Sequence, residues 1–335
     1  MSASHPLAVI TGGAGFIGSH AVDAALAAGY RVHVIDNMTG GRLENLAAHH
    51  HNPDLRVDSR DIRQLAPDDA LFRGAEIVLH FAGIGDIVPS IERPAEYMSV
   101  NVQGTVAVLE AARAAGVGKL VYAASSSCYG LATVPTDEDH PIDPCYPYAL
   151  SKYQGEQACL HWHRVYGLPV NSIRIFNAYG TRSRTSGAYG AVFGVFLRQK
   201  LANHPFTVVG DGAQTRDFLY VSDVAAAFLA AARTDLVGHI WNLGASAPQS
   251  VNRLVELMGG GSVTHLPKRP GEPDCTWADT RRIRDDLGWA PLVSFEEGVA
   301  KVLADIDYWR DAPLWTPDRI AEATRTWFAM LSQES

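Results

Sequence analysis

Two residues near the middle of the sequence have the types and spacing needed for proton transfer, Tyr148 and Lys152. Four residues apart on a helix, their side chains lie on one face, with the ammonium beside the phenol. A neighbouring cation favours the phenolate, so we expect the pKa of Tyr148 to fall towards neutrality. A phenolate can take the proton of an alcohol or sugar hydroxyl while hydride leaves the same carbon. The pair therefore predicts a base for hydride-transfer chemistry.

A serine cluster precedes this pair in the sequence. It follows a predicted strand over Lys119–Ala124 and reads Ser125-Ser126-Ser127-Cys128-Tyr129-Gly130. Ligands of open parallel α/β sheets gather at the carboxyl ends of the strands. We therefore expect the serine cluster and Tyr148 to face the same site.

A glycine-rich turn near the N-terminus predicts a dinucleotide site. It follows the apolar strand Leu7–Ile10 and opens a helix. Glycines let the backbone turn sharply and approach a pyrophosphate, whose charge is favoured at the N-terminus of a helix. The residues expected to contact the cofactor there are Gly12, Gly15, Phe16, Ile17 and Gly18.

The acid that ends the next strand favours NAD over NADP. Strand Arg31–Ile35 leads to Asp36, about 20 residues past the glycine-rich turn, where a carboxylate can accept hydrogen bonds from both ribose hydroxyls of NAD. The same carboxylate would repel the 2′-phosphate of NADP. We assign Asp36 and the adjacent Asn37 to the cofactor site.

Two further pairs of residues are expected to border the cofactor. Asp61 and Ile62 follow a strand-like segment, and Asp61 either holds the adenine amine or is an acid of a surface loop. Phe81 and Ala82 lie at the end of the apolar strand Ile77–Ala82. That position is again the edge of the sheet where ligands gather.

The elements that position these residues alternate between strands and helices. Strand 77–82 is followed by helix 94–115, strand 119–124 and helix 147–166. This order predicts an α/β fold, a Rossmann-type doubly wound parallel sheet with a smaller α/β substrate-binding lobe.

Chain length agrees with this two-part organisation. The 335 residues are enough for about two lobes of roughly 150 residues each. We expect residues 1–175 and 217–240 to form the cofactor-binding domain, and residues 176–216 and 241–335 to form the substrate-binding lobe. With 47% hydrophobic and 19% charged residues, the chain has the composition of an ordinary soluble protein.

Charge and cysteine content argue against several other classes. The net charge of -8 argues against a broad nucleic-acid surface. The four cysteines form no C-x-x-C pair, and His49-His50-His51 lies in a polar loop, so we expect no metal site. No apolar run reaches the ~18 residues of a membrane span, and the N-terminus does not resemble a signal peptide. We expect a cytoplasmic protein without membrane or nucleic-acid partners.

Taken together, these motifs resemble the extended short-chain dehydrogenases/reductases of the nucleotide-sugar epimerase and dehydratase family. The closest pattern is that of the UDP-glucose/UDP-galactose and UDP-N-acetylglucosamine 4-epimerases. The resemblance covers the chain from Gly12 to about Pro291. Besides the motifs above, it rests on His80-Phe81-Ala82, Asn101, Asn177, Arg216-Asp217 and Arg269-Pro270-Gly271-Glu272. It implies a tightly held NAD, a nucleotide-sugar substrate and a homodimer.

The resemblance also implies a role for each matching residue. Tyr148 would be the catalytic base, Lys152 would bind the nicotinamide ribose and lower the tyrosine pKa, and Ser125 would be the catalytic hydroxyl. The substrate diphosphate and its nucleotide would be held by Asn177, Arg216, Arg269 and Glu272. Ser125 and Ser126 are also assigned to the substrate site, and Thr276 lies at the position that limits the size of the sugar's 2-substituent.

Ser126 and Ser127 distinguish between reaction classes within this family. Its 4,6-dehydratases carry an Asp-Glu pair at these two positions, and its UDP-glucuronate decarboxylases carry a glutamate at the second. Elimination needs a general acid and base beyond the tyrosine, and serine hydroxyls serve poorly. We therefore expect epimerisation at C4 through a transient 4-keto sugar. The alternatives are a dehydratase or decarboxylase, a net reductase or dehydrogenase, and a degenerate NAD-binding regulator.

Two positions depart from the family pattern. Val192 replaces an asparagine that contacts the nucleotide, in a segment that carries Arg182 and Arg184. These two arginines either meet extra anionic groups or are solvated loop charges. Thr276 replaces a bulky tyrosine of glucose-only enzymes, which leaves room for an N-acetyl group and favours N-acetylhexosamine substrates.

Four further expectations concern packing and assembly. Asp223 is predicted to cap the following helix, and Tyr220 to lie in the core. Residues 311–335, with Trp315 and Trp327, are predicted to form an amphipathic helix that docks on the body of the protein. Helices 94–115 and 147–166 correspond to those that pair in family dimers.

Overall fold

The computed structural model describes residues 5–185 and 191–331. Its strands in chain order are β1 (Leu7–Thr11), β2 (Arg31–Ile35), β3 (Leu55–Asp58), β4 (Ala75–His80), β5 (Lys119–Ser125), β6 (Val170–Ile175), β7 (Asn177–Tyr179), β8 (Phe206–Val209), β9 (Thr215–Arg216), β10 (Phe218–Tyr220), β11 (Ile240–Leu243), β12 (Gln249–Ser250) and β13 (Val263–Leu266). Seven of them form one sheet in the order β11-β6-β5-β4-β1-β2-β3. All neighbouring pairs in that sheet are parallel.

The helices follow the strands in alternation. They are α1 (Phe16–Ala27), α2 (Ile87–Glu92), α3 (Pro94–Met98), α4 (Gly104–Ala114), α5 (Pro147–Tyr166), α6 (Val192–Leu201), α7 (Val221–Arg233), α8 (Val251–Leu257), α9 (Arg281–Leu287), α10 (Phe295–Ala304) and α11 (Pro317–Leu331). A π-helical turn, Ser99–Gln103, joins α3 to α4. The predicted helix 94–115 is therefore one helical run with a widened turn in its middle.

Helices cover both faces of the central sheet. Strands β1, β5 and β6 are buried along their whole length, as expected for parallel strands between two helical layers. Helices α1 and α7 pack together on one face, and α4 and α5 pack together on the other. The strand order reverses between β1 and β4, which places a ligand crevice there. The predicted doubly wound Rossmann-type fold is confirmed.

A second, smaller group of elements lies beyond the carboxyl ends of the strands. It contains three two-stranded sheets, β7–β10, β8–β13 and β9–β12. Its core is rich in aromatic rings, among them Tyr179, Phe193, Phe218 and Phe295. Strand β11 belongs to the large sheet and crosses the predicted domain limit at residue 240. The division into two domains stays a prediction.

The prediction that Asp223 caps a helix is wrong. Helix α7 begins after Tyr220, and Asp223 lies within its first turn. The Asp223 carboxylate instead accepts hydrogen bonds from the backbone N–H groups of Leu292 and Val293, both at 2.9 Å. It thereby anchors a loop that precedes α10. Tyr220 is 6% exposed, which confirms that it lies in the core.

The C-terminal segment docks on the body of the protein as predicted, but its helix begins at Pro317, six residues later than expected, so Trp315 precedes it. Helix α11 buries Ile320, Thr324 and Trp327, which lie on one face at helical spacing. Residues 332–335 lie outside the described part of the chain. Among the described residues, no helix is long and apolar enough to cross a membrane. The cytoplasmic location stays a prediction.

Candidate active site

The Tyr148 cluster, which comprises Ser125, Tyr148 and Lys152, lies where β5 ends and α5 begins. Ser125 is the last residue of β5, and its Oγ accepts a hydrogen bond from the Ser127 N–H at 3.2 Å. Pro147 opens α5, so Tyr148 lies in the first turn and Lys152 one turn later. A hydrogen bond joins the side chains of Ser125 and Tyr148. The two sequence motifs therefore meet at one point.

The expected lowering of the Tyr148 pKa is wrong for this structure. Burial raises the pKa of Tyr148 above the ordinary value for tyrosine, and the hydrogen bond with Ser125 only partly opposes the rise. The ammonium of Lys152 lies 4.5 Å from the centroid of the Tyr122 ring, in a cation–π contact. Burial lowers the pKa of Lys152 to about 8. Lys152 thus rests on an aromatic face rather than against the phenol of Tyr148.

Asn101, in the π-helical turn, links the backbone at Ile84 to the first turn of α5, where Tyr148 lies. The side-chain amide of Asn101 donates to Ser151 Oγ, and Ser151 Oγ donates to the carbonyl of Tyr148, at 2.9 and 2.8 Å. The Asn101 amide also exchanges two hydrogen bonds with the backbone of Ile84, each at 2.9 Å. A Cβ on Gly83 would lie 2.9 Å from the Asn101 oxygen, so the chain needs glycine there.

A network of buried polar side chains holds α5 against the central sheet. Arg174 forms an ion pair with Glu156 at 2.6 Å, and both side chains are at most 3% exposed. Arg174 also donates to the Tyr129 hydroxyl, which donates to Asn242 Oδ1, each at 2.7 Å. The network joins α5, β6, the serine turn and β11. Because every polar group has a partner, it fixes α5 rigidly.

The glycine-rich turn has the close packing expected of a dinucleotide site. Gly12 has φ of +69°, and a Cβ there would lie 2.7 Å from the backbone nitrogen of Ala82. A Cβ on Gly18 would lie 2.1 Å from the Gly12 carbonyl oxygen. Gly15 precedes α1 and supplies no side-chain cap, so the first N–H groups of the helix remain available to an anion. These residues fit a pyrophosphate.

Asp36 is held rigidly beside this turn. Its carboxylate accepts hydrogen bonds from the N–H groups of Ala14 and Met38 at 3.0 and 2.9 Å. Burial raises the pKa of Asp36, and these backbone donors oppose the rise. A Cβ on Gly41 would lie 2.8 Å from the same carboxylate. The oxygens are thus fixed at the end of β2, where an adenosine ribose is expected.

Asn37, Asp61 and Ile62 follow β2 and β3, which are neighbours in the sheet. Asn37 donates to Asp61 at 3.0 Å, and an ion pair with Arg63 lowers the pKa of Asp61 to about 2. Ile62 is buried. The assignment of Asp61 to adenine stays a prediction.

Phe81 and Ala82 follow β4 at the crevice between β1 and β4. The Phe81 N–H donates to the Thr11 carbonyl at 3.0 Å, and the Ala82 N–H donates to Thr11 Oγ1 at 3.3 Å. The structure therefore brings these residues, the glycine-rich turn and Asp36 to one edge of the sheet.

A cavity of about 490 Å³ opens next to the serine turn, and its lining includes Ser126 and Ser127 but not Ser125, Tyr148 or Lys152. Its wall contains six of the predicted substrate residues, Ser126, Asn177, Arg216, Arg269, Glu272 and Thr276. A neighbouring cavity of about 460 Å³ shares Arg216 and Glu272. The structure thus gathers residues from distant parts of the chain, and their contact with substrate stays a prediction.

The arginine cluster, which comprises Arg216, Arg269 and Glu272, forms one wall of the cavity. Arg216 Nη2 lies 2.8 Å from Glu272 Oε1, and Arg269 Nη1 lies 3.7 Å from Glu272 Oε2. Each arginine side chain is 12% exposed. Glu272 Oε2 is buried and accepts no hydrogen bond from the residues described. Two guanidinium groups facing one carboxylate leave a net positive charge, which suits an anionic ligand.

Thr276 and Asn177 contact one another in the cavity wall. Thr276 Oγ1 donates to Asn177 Oδ1 at 2.6 Å and accepts from the Asp217 N–H at 3.2 Å. Asp217 is fully buried, and its carboxylate accepts from the Ala278 N–H at 2.9 Å. Thr276 is therefore held at a defined place next to the arginine cluster.

Arg182 and Arg184 are paired with carboxylates. Arg182 lies 2.9 Å from Asp23, and Arg184 lies 2.5 Å from Asp86, which lines the cavity. Arg182 Nη1 is buried and has no hydrogen-bond partner among the described residues, so whether these arginines meet an extra anionic group stays open. Val192 also lines the cavity. Residues 186–190 of the same segment lie outside the described part of the chain.

The histidine tract shows no sign of metal binding. His49 lies 2.8 Å from Asp23. No group of histidine, cysteine or acidic side chains suited to a metal ion occurs within residues 5–185 and 191–331.

Among the cavity residues that the sequence did not predict are two aromatic ones, Tyr146 and Trp327. The Tyr146 ring is parallel to that of Tyr148 with 6.4 Å between centroids, and its hydroxyl is hydrogen-bonded to Ser127. Its position two residues before Tyr148 was a usable signal. Trp327 comes from the docked C-terminal helix, and no local pattern links it to the cavity.

The comparisons with known proteins decide the family. The model of the NAD dependent epimerase/dehydratase family matches residues 8–244. The chain belongs to this family. As in the sequence prediction, the cofactor of this NAD-dependent epimerase/dehydratase is NAD, and its glycine-rich turn and Asp36 fit that group. When bound, NAD supplies a hydride acceptor and donor.

Relatives within the NAD-dependent epimerase/dehydratase family are named for more than one reaction. A putative UDP-glucose 4-epimerase of Methanocaldococcus jannaschii is 36% identical over 88% of this chain and 96% of its own length. A dTDP-glucose 4,6-dehydratase of Streptomyces niveus is 30% identical over 92% of this chain and 94% of its own. Sequence identity alone therefore leaves the reaction open.

A solved structure shows how far the fold is shared. The UDP-N-acetylglucosamine 4-epimerase from Methanobrevibacter ruminantium, in complex with UDP-N-acetylmuramic acid, is 28% identical. It superposes with a TM-score of 0.85 and covers 92% of this chain and 98% of that one. The resemblance to nucleotide-sugar epimerases inferred from the motifs is confirmed at the level of the whole fold.

Proposed function

We propose that this protein is an NAD-dependent 4-epimerase of a nucleotide-activated hexose, acting through a transient 4-keto sugar. The observation that carries the proposal is the chemistry of the cavity wall. Next to the Tyr148 cluster that wall presents the hydroxyls of Ser126 and Ser127. Its two carboxylates are both engaged by arginines, Asp86 by Arg184 and Glu272 by Arg216.

This wall disfavours elimination. Loss of water or carbon dioxide needs acid and base groups beyond the tyrosine. Asp86 and Glu272, the carboxylates among the described wall residues, each form an ion pair with an arginine instead of standing free beside the Tyr148 cluster. The Tyr148 cluster beside the cavity supplies one proton-transfer base, Tyr148, and epimerisation requires the movement of one proton at one oxygen.

In the proposed mechanism Tyr148 takes the proton of the C4 hydroxyl and later returns it. The hydrogen bond with Ser125 stabilises the phenolate and orients the reacting oxygen. Lys152, with a pKa of about 8, carries a positive charge near neutral pH and would hold the nicotinamide ribose. The sugar presents its other face before the C4 hydrogen is restored.

The arginine cluster is proposed to hold the nucleotide throughout the reaction. The guanidinium groups of Arg216 and Arg269 suit a diphosphate, and Asn177 adds a polar contact. Glu272 Oε2, buried and without a hydrogen-bond donor in the described part of the chain, suits a ribose hydroxyl. Tight binding at this end keeps the keto sugar in the cavity while it changes face.

We further propose that the enzyme accepts UDP-N-acetylhexosamines. Thr276 is a small residue fixed against Asn177, which leaves space in the cavity for an acetamido group. A relative of known structure with the same fold is a UDP-N-acetylglucosamine 4-epimerase. Both points favour a substrate with a bulky 2-substituent.

A homodimer formed through α4 and α5 is part of the proposal. Trp162 on α5 donates to Glu110 on α4 at 2.6 Å, so the two helices present one joint surface. Val165 and Tyr166 at its end are 52% and 51% exposed. Light scattering at micromolar concentration would measure twice the chain mass for a dimer, and the mass of one chain would contradict it.

A panel of nucleotide sugars tests the proposed reaction. The purified protein is incubated with UDP-, dTDP-, GDP- and CDP-hexoses and with UDP-N-acetylglucosamine, and products are analysed by mass spectrometry and proton NMR. An epimerase gives an unchanged mass and a new C4 signal. Loss of water or carbon dioxide would contradict the proposal, and so would a stoichiometric change in NADH.

A further inference from the structure

The C-terminal helix reaches the arginine cluster through one side chain. Trp327 on α11 is 5% exposed and lines the cavity. Its indole N–H donates to the carbonyl of Pro270 at 2.8 Å. The centroid of its ring lies 5.5 Å from the guanidinium carbon of Arg269. One tryptophan therefore contacts both the backbone and the arginine side chain of the 269–272 loop.

This loop has little regular structure of its own. Arg269 and Glu272 lie between β13 and α9, in a stretch without a helix or a longer strand. Arg216, by contrast, lies on β9, whose backbone pairs with β12. The position of Arg216 is thus fixed by a strand, whereas the position of Arg269 depends on contacts from elsewhere in the fold.

Helix α11 is in turn anchored on the opposite side of the cavity. It packs on α2, and Thr326 donates to Glu92 at the end of α2 at 3.1 Å. The segment that opens α2 lines the cavity at Asp86, Ile87 and Val88. The helix therefore bridges the sheet side of the cavity and the loop that carries Arg269.

From these contacts we infer that Trp327 is a positioning residue that holds Arg269 in place for the diphosphate of the substrate. The inference rests on the proposed function, in which Arg269 binds that diphosphate. A guanidinium stacked over an indole ring keeps its positive charge. Its N–H groups point outward past the ring and remain able to donate hydrogen bonds to a phosphate. The hydrogen bond to Pro270 fixes the loop backbone at the same time.

The test compares binding of a nucleoside diphosphate with binding of its nucleoside. Isothermal titration of the NAD-loaded protein first finds which of UDP, dTDP, GDP and CDP binds most tightly. Trp327→Leu is expected to raise the Kd of that diphosphate about 3- to 10-fold, the value of a partly buried cation–π contact. The Kd of the nucleoside should change less than about twofold, because the nucleoside lacks the group that Arg269 binds.

Two further variants separate positioning from general damage. Trp327→Phe keeps an aromatic face and loses the hydrogen bond to Pro270, so it should restore part of the affinity. Met330→Ala changes an exposed residue of the same helix and should leave binding unchanged. In an Arg269→Ala background, Trp327→Leu should have no further effect on diphosphate binding, since its action passes through the arginine.

The outcomes distinguish the inference from the proposed function. If no diphosphate binds to the unaltered protein, the proposed function fails and the inference fails with it. If the diphosphate binds and Trp327→Leu leaves its Kd unchanged, only the inference is wrong. Equal weakening of diphosphate and nucleoside would show that Trp327 touches the nucleoside instead. If Trp327→Leu does not fold, the Trp327→Phe variant and its double mutant with Arg269→Ala give the decision.

Discussion

The Tyr148 cluster and the arginine cluster are built in different ways. Ser125, Tyr148 and Lys152 lie on one long strand and one long helix, backed by buried hydrogen bonds from Asn101 and Arg174. The arginine cluster combines a two-residue strand with an irregular loop, and both of its arginines face Glu272.

The difference suggests a division between the reaction and its selectivity. Groups that move a proton must be placed accurately, and rigid elements supply that accuracy. Groups that select a nucleotide can lie on loops, which tolerate change in sequence and length. We expect substitutions in the Tyr148 cluster to act on kcat and those in the arginine cluster to act on KM.

The largest effect is expected from removing the phenol of Tyr148. Tyr148→Phe should lower kcat by about 10²- to 10⁴-fold, the usual contribution of general acid–base catalysis, with little change in diphosphate affinity. Steady-state kinetics and titration with the diphosphate measure the two quantities. Tyr30→Phe, which removes only a hydroxyl bonded to Glu76, is the matched control. Near-normal turnover by Tyr148→Phe would refute the mechanism.

A change in the arginine cluster should give the opposite pattern. Arg216→Ala removes a charged donor to the diphosphate, and such contacts contribute about 1.5–3 kcal/mol, or roughly 10- to 100-fold in affinity. We expect KM to rise by that factor while kcat changes much less. Arg253→Ala, a surface arginine paired with Glu256 and Glu296, serves as control. A large loss in kcat at unchanged KM would contradict the assignment of the arginine cluster to substrate binding.

Lys152 allows a test of stability within the Tyr148 cluster. Its pKa is lowered to about 8 by burial, so below pH 8 the folded protein carries a buried charge that the unfolded chain solvates better. Between the folded pKa and the ordinary lysine value the unfolded state binds more protons, so stability rises with pH in that window. Lys152→Met should therefore raise the free energy of unfolding at pH 7 by about 1–3 kcal/mol.

Urea unfolding at two pH values measures this effect. The gain of Lys152→Met should shrink towards pH 10, where the lysine of the folded protein is already neutral. Activity of the variant should be strongly reduced at both pH values. A variant that is less stable than the unaltered protein at pH 7 would show that the contacts of Lys152 outweigh its burial.

The smallest effect is expected at Thr276. Thr276→Tyr fills space beside Asn177 and should lower kcat/KM for UDP-N-acetylglucosamine about 3- to 10-fold relative to UDP-glucose, the range for a modest steric change in a pocket. Thr276→Ser keeps the hydroxyl bonded to Asn177 and should leave the ratio unchanged. An equal loss of kcat/KM for both sugars would show that Thr276 does not contact the 2-substituent.

Local patterns in the sequence were enough to predict most of the fold. Strands β1 and β2 and helix α5 begin where the apolar runs and Pro147 indicate, because each depends on neighbouring residues alone. The glycine-rich turn, Asp36 and the Tyr148–Lys152 spacing belong to the same kind of signal. From these features the cofactor residues and the Tyr148 cluster were predicted to lie at the carboxyl ends of the strands, which is where the structure places them.

Contacts between distant residues were beyond the reach of such patterns. Asp223 looked like a helix cap, but it binds the backbone of Leu292 and Val293. The spacing of Tyr148 and Lys152 was predicted, yet the aromatic face of Tyr122 that receives the ammonium was not. Trp327 meets Pro270 across 57 residues. Each depends on how separate elements pack, which no local spacing encodes.

The Arg174 network has a consequence for recombining this protein with its relatives. Arg174 and Tyr129 lie before residue 175, whereas Asn242 lies on β11, nearly 70 residues further along the chain. A chimera with one crossover between residues 180 and 235 would place a foreign partner opposite Tyr129, leaving a buried hydroxyl unmatched wherever that partner differs. Exchange of nucleotide selectivity therefore calls for short grafts around residues 216 and 269–276 instead of the replacement of a whole C-terminal half.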